Sequence, residues 1–132
     1  MRTLLKLLLI AAGGAIGASL RFLTSLAAQK ISKRITFLTG TVFVNSIGCL
    51  AAGVFTAWIS ISNPFGSDIT SMLSIGVLGS YTTFSTFSLE VFQRLDKPLR
   101  ELLSYLFVQL VVAVSLVFAG YSFTMQWFGG AA

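Results

Sequence analysis

The run Ile69-Thr70-Ser71-Met72-Leu73-Ser74-Ile75-Gly76-Val77-Leu78-Gly79-Ser80-Tyr81-Thr82-Thr83-Phe84-Ser85-Thr86-Phe87-Ser88-Leu89 contains no Asp, Glu, Lys or Arg. It is as long as the roughly 20 residues a helix needs to cross the hydrocarbon core of a bilayer. Its second half, from Gly79 to Ser88, is nevertheless rich in hydroxyls and β-branched threonines and opens on a glycine. Such a segment makes a poor continuous helix, so the run reads as two half-helices meeting at a break. A break presents unpaired carbonyls from the end of the first half and unpaired N–H groups from the start of the second. Carbonyls suit a cation and N–H groups suit an anion. Phe84 and Phe87, three apart, share a face, and their positive ring edges can line an anion's path. Hydroxyl-to-backbone bonding inside an unbroken span, with the phenylalanines as packing, accounts for the same residues equally well.

The rest of the chain repeats the pattern of long uncharged runs. Ile35 to Ser67 and Leu102 to Ala132 carry no Asp, Glu, Lys or Arg, and Leu7 to Gln29 is interrupted only by Arg21. With 55% hydrophobic and 10% charged residues in 132, and a mean hydropathy of +0.89, the composition leaves no room for a soluble domain. The expectation is an all-α integral membrane protein, one domain over 1–132 with four transmembrane helices at about 4–28, 36–59, 69–92 and 99–123, the third broken mid-membrane. Met1 to Ala18 imitates a secretory leader, but the apolar pattern continues to Ala28 and reads as a full span. Gly13, Gly14, Gly17 and Ala18 form overlapping small-xxx-small pairs that let another helix approach closely. Ser62 to Asp68 is a turn by composition, with Asp68 expected to cap the next helix, and Pro98 is placed to open the last span.

The net charge of +5 does not form a patch. Arg2 and Lys6, then Lys30, Lys33 and Arg34, then Arg94, Lys97 and Arg100 fall between spans. That distribution suits lipid headgroups and topology rather than nucleic acid. Antiparallel neighbours put two of these charges on one side of the membrane and six on the other, which favours the first and third loops in the cytoplasm. Cys49 is the lone cysteine and there is no histidine. An intrachain disulfide, imidazole catalysis and most zinc chemistry are therefore excluded.

Polar residues at membrane depth need protein partners or water, and four places besides lipid-facing positions demand them: Arg21, Asn45, the run from Ser80 to Ser88, and Tyr105 with Gln109. The Asn45 amide offers two donors, either to an anion stripped of water or to a neighbouring helix as a bundle hydrogen bond. Arg21 either snorkels to the headgroups or supplies a positive field at a water-filled vestibule. Glu90 closes the third span as an interfacial charge, and Tyr105 suits an interfacial anchor.

Three stretches, Gly13 to Arg21 (GGAIGASLR), Gly40 to Gly48 (GTVFVNSIG) and Gly76 to Glu90 (GVLGSYTTFSTFSLE), resemble the signature segments of the Fluc (CrcB) family of fluoride channels, in order and in a chain of family length. The TTFSTF core is the most specific of them. The resemblance implies a fluoride-selective passive channel in the cell (inner) membrane, not an enzyme, built as a dual-topology antiparallel homodimer with two pores. It implies an anion pathway through Asn45, Thr83, Phe84, Ser85, Thr86, Phe87 and Tyr105, with Arg21 and Glu90 acting on the vestibule field. It also implies a structural sodium ion at the dimer centre, held by backbone carbonyls of Gly79 and Thr82.

Two features depart from the family pattern. Where members carry a track of hydroxyls on the last span, this chain has Gln109 and Ala113 beyond Tyr105. Six positive charges against two is also a stronger bias than dual insertion usually shows. The rival reading is a proton-coupled four-span exporter, which needs an ionisable carrier within the bilayer, and no Asp or Glu lies mid-span.

Overall fold

The computed structural model describes residues 2–32, 38–62 and 64–129. Its helices are α1 (Arg2–Ser32), α2 (Gly40–Ser62), α3 (67–81), α4 (Phe84–Phe92) and α5 (Leu99–Phe128). No strand occurs among the described residues. α1, α2 and α5 are each long and apolar enough to cross a membrane. Two stretches are wound as π-helix, Met72–Leu78 within α3 and Val108–Val112 within α5.

The distribution of side chains is inverted relative to a soluble domain. Phe22, Phe107, Phe118 and Trp127 are more than 60% exposed, while Thr41, Thr83, Gln109 and Thr124 are buried beside Val44 and Tyr105. An apolar exterior around a partly polar interior is stable only where the surroundings are themselves apolar. The protein is a multi-pass membrane protein.

Helix α1 overruns the expected end at 28 through Lys30 to Ser32, continuing past the uncharged stretch toward the headgroups, and α5 overruns the expected end at 123 by a further turn to Phe128. The expected start of the second span at Thr36 lies outside the described residues, as do Lys33, Arg34 and Asn63. Asp68 is not a cap. α3 is entered through Gly66 in an extended conformation without a side-chain cap, and Asp68 sits inside the first turn, where a carboxylate meets the positive end of the helix dipole. Pro98 does precede α5, and its carbonyl accepts from Glu101 at 2.8 Å.

Two glycine seams set the packing. Gly13 and Gly17 of α1 lie against α3: a Cβ at Gly13 would come 3.3 Å from the Cα of Gly76, and one at Gly17 would strike the Val77 carbonyl. The small-residue face of α1 is thus filled by the chain's own α3 and is not left open for another subunit. Gly53 and Gly120 do the same for α2 and α5, where Cβ atoms would strike the Val117 and Leu50 carbonyls. With backbones this close, α2 lies between α1 and α5, and its middle turn, around Asn45 and Gly48, faces the junction of α3 and α4.

Candidate functional site

The third apolar run is broken. α3 ends at Tyr81, and Thr82 and Thr83 are extended, with φ/ψ of −75°/158° and −144°/120°, before α4 begins at Phe84. The cause is local. Thr82 still closes its N–H on the Leu78 carbonyl at 3.1 Å, and its hydroxyl donates to the same carbonyl at 3.1 Å. The next N–H, of Thr83, would in a continuing helix reach Gly79, but it donates to Asn45 Oδ1 at 3.0 Å. Asn45 Nδ2 returns a bond to the Thr83 carbonyl at 3.2 Å. One side-chain amide therefore pairs both backbone groups of a single residue, as a neighbouring strand would, and so satisfies backbone that lipid cannot. Thr83 then caps α4, its Oγ1 accepting from the Thr86 N–H at 3.2 Å and donating to Thr86 Oγ1 at 3.0 Å.

Of the two alternatives left open by the sequence, the structure decides the first. The unbroken span is excluded by the extended pair, although hydroxyl-to-backbone bonding does occur at Thr82. Asn45 makes an interhelical bond, and makes it to the break itself.

A polar line leads away from the break. Asn45 Nδ2 lies 3.4 Å from Gln109 Oε1, and Gln109 Nε2 donates to the Tyr105 hydroxyl at 3.2 Å. Tyr105 is fully buried, and its ring carries the Arg94 guanidinium 4.2 Å above its centroid. Arg94 donates to the Glu90 carbonyl oxygen at 2.8 Å and lies 3.7 Å from the Glu90 carboxylate. That carboxylate accepts from the hydroxyls of Thr39 at 2.7 Å and Thr41 at 2.5 Å. The phenylalanines run alongside. Phe87 stacks on Tyr105 with centroids 6.0 Å apart, and Phe84 sits 5.7 Å from Phe87 at a 50° tilt. Asn45, Cys49, Thr83, Phe84, Phe87 and Gln109 line one side of an open groove of about 290 Å³.

The structure thus brings together Asn45, Thr83, Phe84, Phe87 and Tyr105 from the expected pathway. Ser85 Oγ lies 3.3 Å from Thr83 Oγ1, and Ser85 and Thr86 are exposed on the first turn of α4. Gly79 and Thr82 flank the break on the α3 side. Arg21 and Glu90 do not line the groove. Arg21 is half-buried on α1, one turn from Gly17 on the face that meets Tyr81, whose hydroxyl donates to Thr24 at 3.1 Å. Glu90 is held at the far end of α4 by threonine hydroxyls and Arg94.

Four participants were not among the site residues chosen from the sequence. Arg94, counted there with the headgroup charges, is 8% exposed and covers Tyr105. Its i,i+4 spacing from Glu90 was the available signal. Thr39 and Thr41 gave none, because their role depends on where α4 ends. Gln109 stands out in the sequence as a polar break beside Tyr105 and as a departure from the family's hydroxyls, and in the structure it joins Asn45 to Tyr105.

A helical membrane protein with a broken helix and a continuous buried polar line beside an open groove defines a membrane transport protein for a small solute. A family profile described as CrcB-like protein, Camphor Resistance (CrcB), matches residues 8–121. The chain is 38% identical over 125 residues to a protein of Xanthomonas axonopodis pv. citri named fluoride-specific ion channel FluC, covering 92% of this chain and 91% of that one. It is 36% identical over 126 residues to the protein of that name from Francisella philomiragia subsp. philomiragia, covering 92% and 95%. For the Aquifex aeolicus protein of that name the figures are 37% over 113 residues, 85% and 90%. The chain belongs to the CrcB family, whose members in bacteria are multi-pass proteins of the inner membrane.

Proposed function

We propose that the protein is a fluoride-selective passive channel that lets cytoplasmic fluoride leave the cell and so lowers its toxicity. The single observation that carries this reading is the break at Thr82–Thr83, held by the Asn45 amide with Phe84 and Phe87 on the turn that follows it. Relatives named as fluoride-specific channels over nine-tenths of the chain support the choice of ion.

The chemistry follows from the start of α4. Its first N–H groups belong to a helix whose dipole is positive at that end, and Ser85 and Thr86 add hydroxyl donors on the same turn. Phenylalanine edges attract an anion weakly, so they guide it without trapping it. A small anion of high charge density exchanges its hydration for such donors most profitably when they are fixed and shielded from water. The channel works without a carrier proton, because Glu90, the carboxylate nearest the polar line, is engaged by two hydroxyls and Arg94. That engagement disfavours the proton-coupled exporter.

In this reading α3 and α4 together make the third of four crossings, and two protomers associate in opposite orientations. Phe84 is 78% exposed and Gly79 is exposed, so both sides of the break are open to a second copy. The donor set at the end of α3 fits a hard cation. Thr83 N–H is diverted to Asn45, which leaves the Gly79 carbonyl without its helical donor, and Gly79 is exposed. A sodium ion bound by the Gly79 and Thr82 carbonyls of two protomers would balance their uncapped helix ends at the dimer centre. Arg21 contributes a positive field to a vestibule.

Purified protein in liposomes loaded with potassium fluoride tests the function. Fluoride should leave rapidly along its electrochemical gradient while chloride efflux stays at the level of protein-free liposomes. Uphill fluoride movement driven by a proton gradient at clamped voltage would overturn the channel reading in favour of an exporter.

A further inference from the structure

Asn45 does not meet the break alone. Gly48, one turn further along the same face of α2, is buried against Thr82 and Tyr81. A Cβ built there would strike the Thr82 methyl, Cγ2, and would come 3.2 Å from Cδ1 of the Tyr81 ring. Neither neighbour steps aside freely. Thr82 is tied twice to Leu78, its N–H and its hydroxyl each reaching that carbonyl at 3.1 Å. Because the threonine Cβ is chiral and its rotamers are staggered, a hydroxyl held on Leu78 fixes where the methyl goes. It goes over Gly48. Tyr81 is 8% exposed and its hydroxyl donates to Thr24 of α1 at 3.1 Å, so the ring is held from the other side.

Resting on the fluoride-channel reading, we infer that Gly48 is a positioning residue for the anion path, which receives the Thr82 methyl and so sets where α3 stops and α4 starts. The two extended residues meet α2 in succession, Thr82 at the space over Gly48 and Thr83 at the amide of Asn45. A side chain at position 48 forces one of two changes. Either Thr82 turns about χ1 and gives up its hydroxyl bond to Leu78, or its backbone moves away from α2 and draws Thr83 out of reach of Asn45. The first loosens the end of α3 and the second moves the start of α4, and both shift Phe84 and Phe87 relative to Asn45. Gly48 touches no ion; it acts through Thr82. The bundle itself is held elsewhere, α1 to α3 at Gly13 and Gly17 and α2 to α5 at Gly53 and Gly120, so the loss falls on conduction more than on assembly.

The test is a double-mutant cycle of Gly48→Ala and Thr82→Ser. It is read as initial fluoride efflux per folded protein from fluoride-loaded liposomes and as thermal unfolding temperature in detergent. Serine keeps a hydroxyl for Leu78 and lacks the methyl. Gly48→Ala should lower efflux about tenfold or more in the parent background but no more than about threefold in the Thr82→Ser background, since cutting back one partner relieves an overpacked contact. Two results would overturn the inference. In one, Gly48→Ala is as damaging in the Thr82→Ser background as in the parent, which puts the crowding on Tyr81. In the other, Gly48→Ala lowers the unfolding temperature while efflux per folded protein stays at the parental rate, which makes the glycine a packing residue and no more. Should Gly48→Ala aggregate, the double variant decides: a folded, conducting protein supports the inference and a second aggregate overturns it. Should Thr82→Ser alone conduct too slowly for a further fall to be read, the unfolding temperatures decide, a smaller drop from Gly48→Ala in that background supporting the inference and an equal drop overturning it. Absence of efflux from the parent protein is a different result, which would sink the channel reading and the inference with it.

Discussion

Helix α4 begins and ends in opposite ways. At its start the chain is extended through Thr82 and Thr83, Phe84 is 78% exposed, and the carbonyls that end α3 lack helical donors. At its end Glu90 and Arg94 are engaged with each other, with Thr39 and Thr41, and with the face of Tyr105. Both ends hold polar groups at or near membrane depth, where unpaired ones are costly. The end whose groups pair among themselves braces the bundle. The end whose groups have room for something more is, in the proposed reading, where an ion and a second copy of the chain would find partners.

The largest change expected from probing this contrast is at Asn45. Asn45→Asp keeps an acceptor for the Thr83 N–H but turns the donor that faces the Thr83 carbonyl and Gln109 into a repelling oxygen. It also adds a negative charge in the proposed anion path. Fluoride efflux should fall below detection. Near-parental efflux from this variant would mean that the ion passes elsewhere.

Arg94→Met should do the reverse. It keeps the apolar stem but removes the cation over Tyr105 and beside Glu90. Breaking a buried pair from one side costs about 3–5 kcal/mol, and the lower end applies here because two threonine hydroxyls still hold the carboxylate. The thermal unfolding temperature in detergent should drop by several degrees, with flux per folded protein nearly unchanged. If flux collapses in a fully stable protein, the far end of α4 is part of the conduction path and the contrast fails.

The smallest effect belongs to Thr83→Val, which deletes the cap of α4 and leaves the Asn45 clamp on the backbone intact. Loss of such a cap costs about 0.5–2 kcal/mol. Stability should fall slightly and fluoride efflux by a few-fold at most, which quantitative efflux traces at several protein densities will resolve.

The membrane class and the places of the helices were legible because uncharged runs and their breaks are properties of local sequence. So was the interruption after Gly79, from a cluster of threonines and serines where apolar residues were due. The break's position at Thr82–Thr83 was not, because it depends on Asn45 arriving from α2 to take up the Thr83 backbone. Gly13 and Gly17 announced a close helix neighbour, but nothing in α1 says whether that neighbour is the chain's own α3 or another subunit. Arg94 was misread as a headgroup charge because burial is a tertiary fact; only its spacing from Glu90 hinted at it. Gln109 was read as a missing hydroxyl, when its position one turn beyond Tyr105 makes it a partner.

In the proposed channel, fluoride passes the open start of α4 along the edges of Phe84 and Phe87. Initial fluoride efflux from liposomes holding Phe84→Leu or Phe87→Leu, measured beside each variant's elution profile in detergent, tests it most directly. Swaps that nearly conserve volume usually cost less than about 1.5 kcal/mol in stability, so both variants should elute like the parent protein. Fluoride efflux should be nearly abolished in each, because leucine keeps bulk and loses the ring's positive edge. Correctly assembled leucine variants that conduct at the parental rate would contradict it.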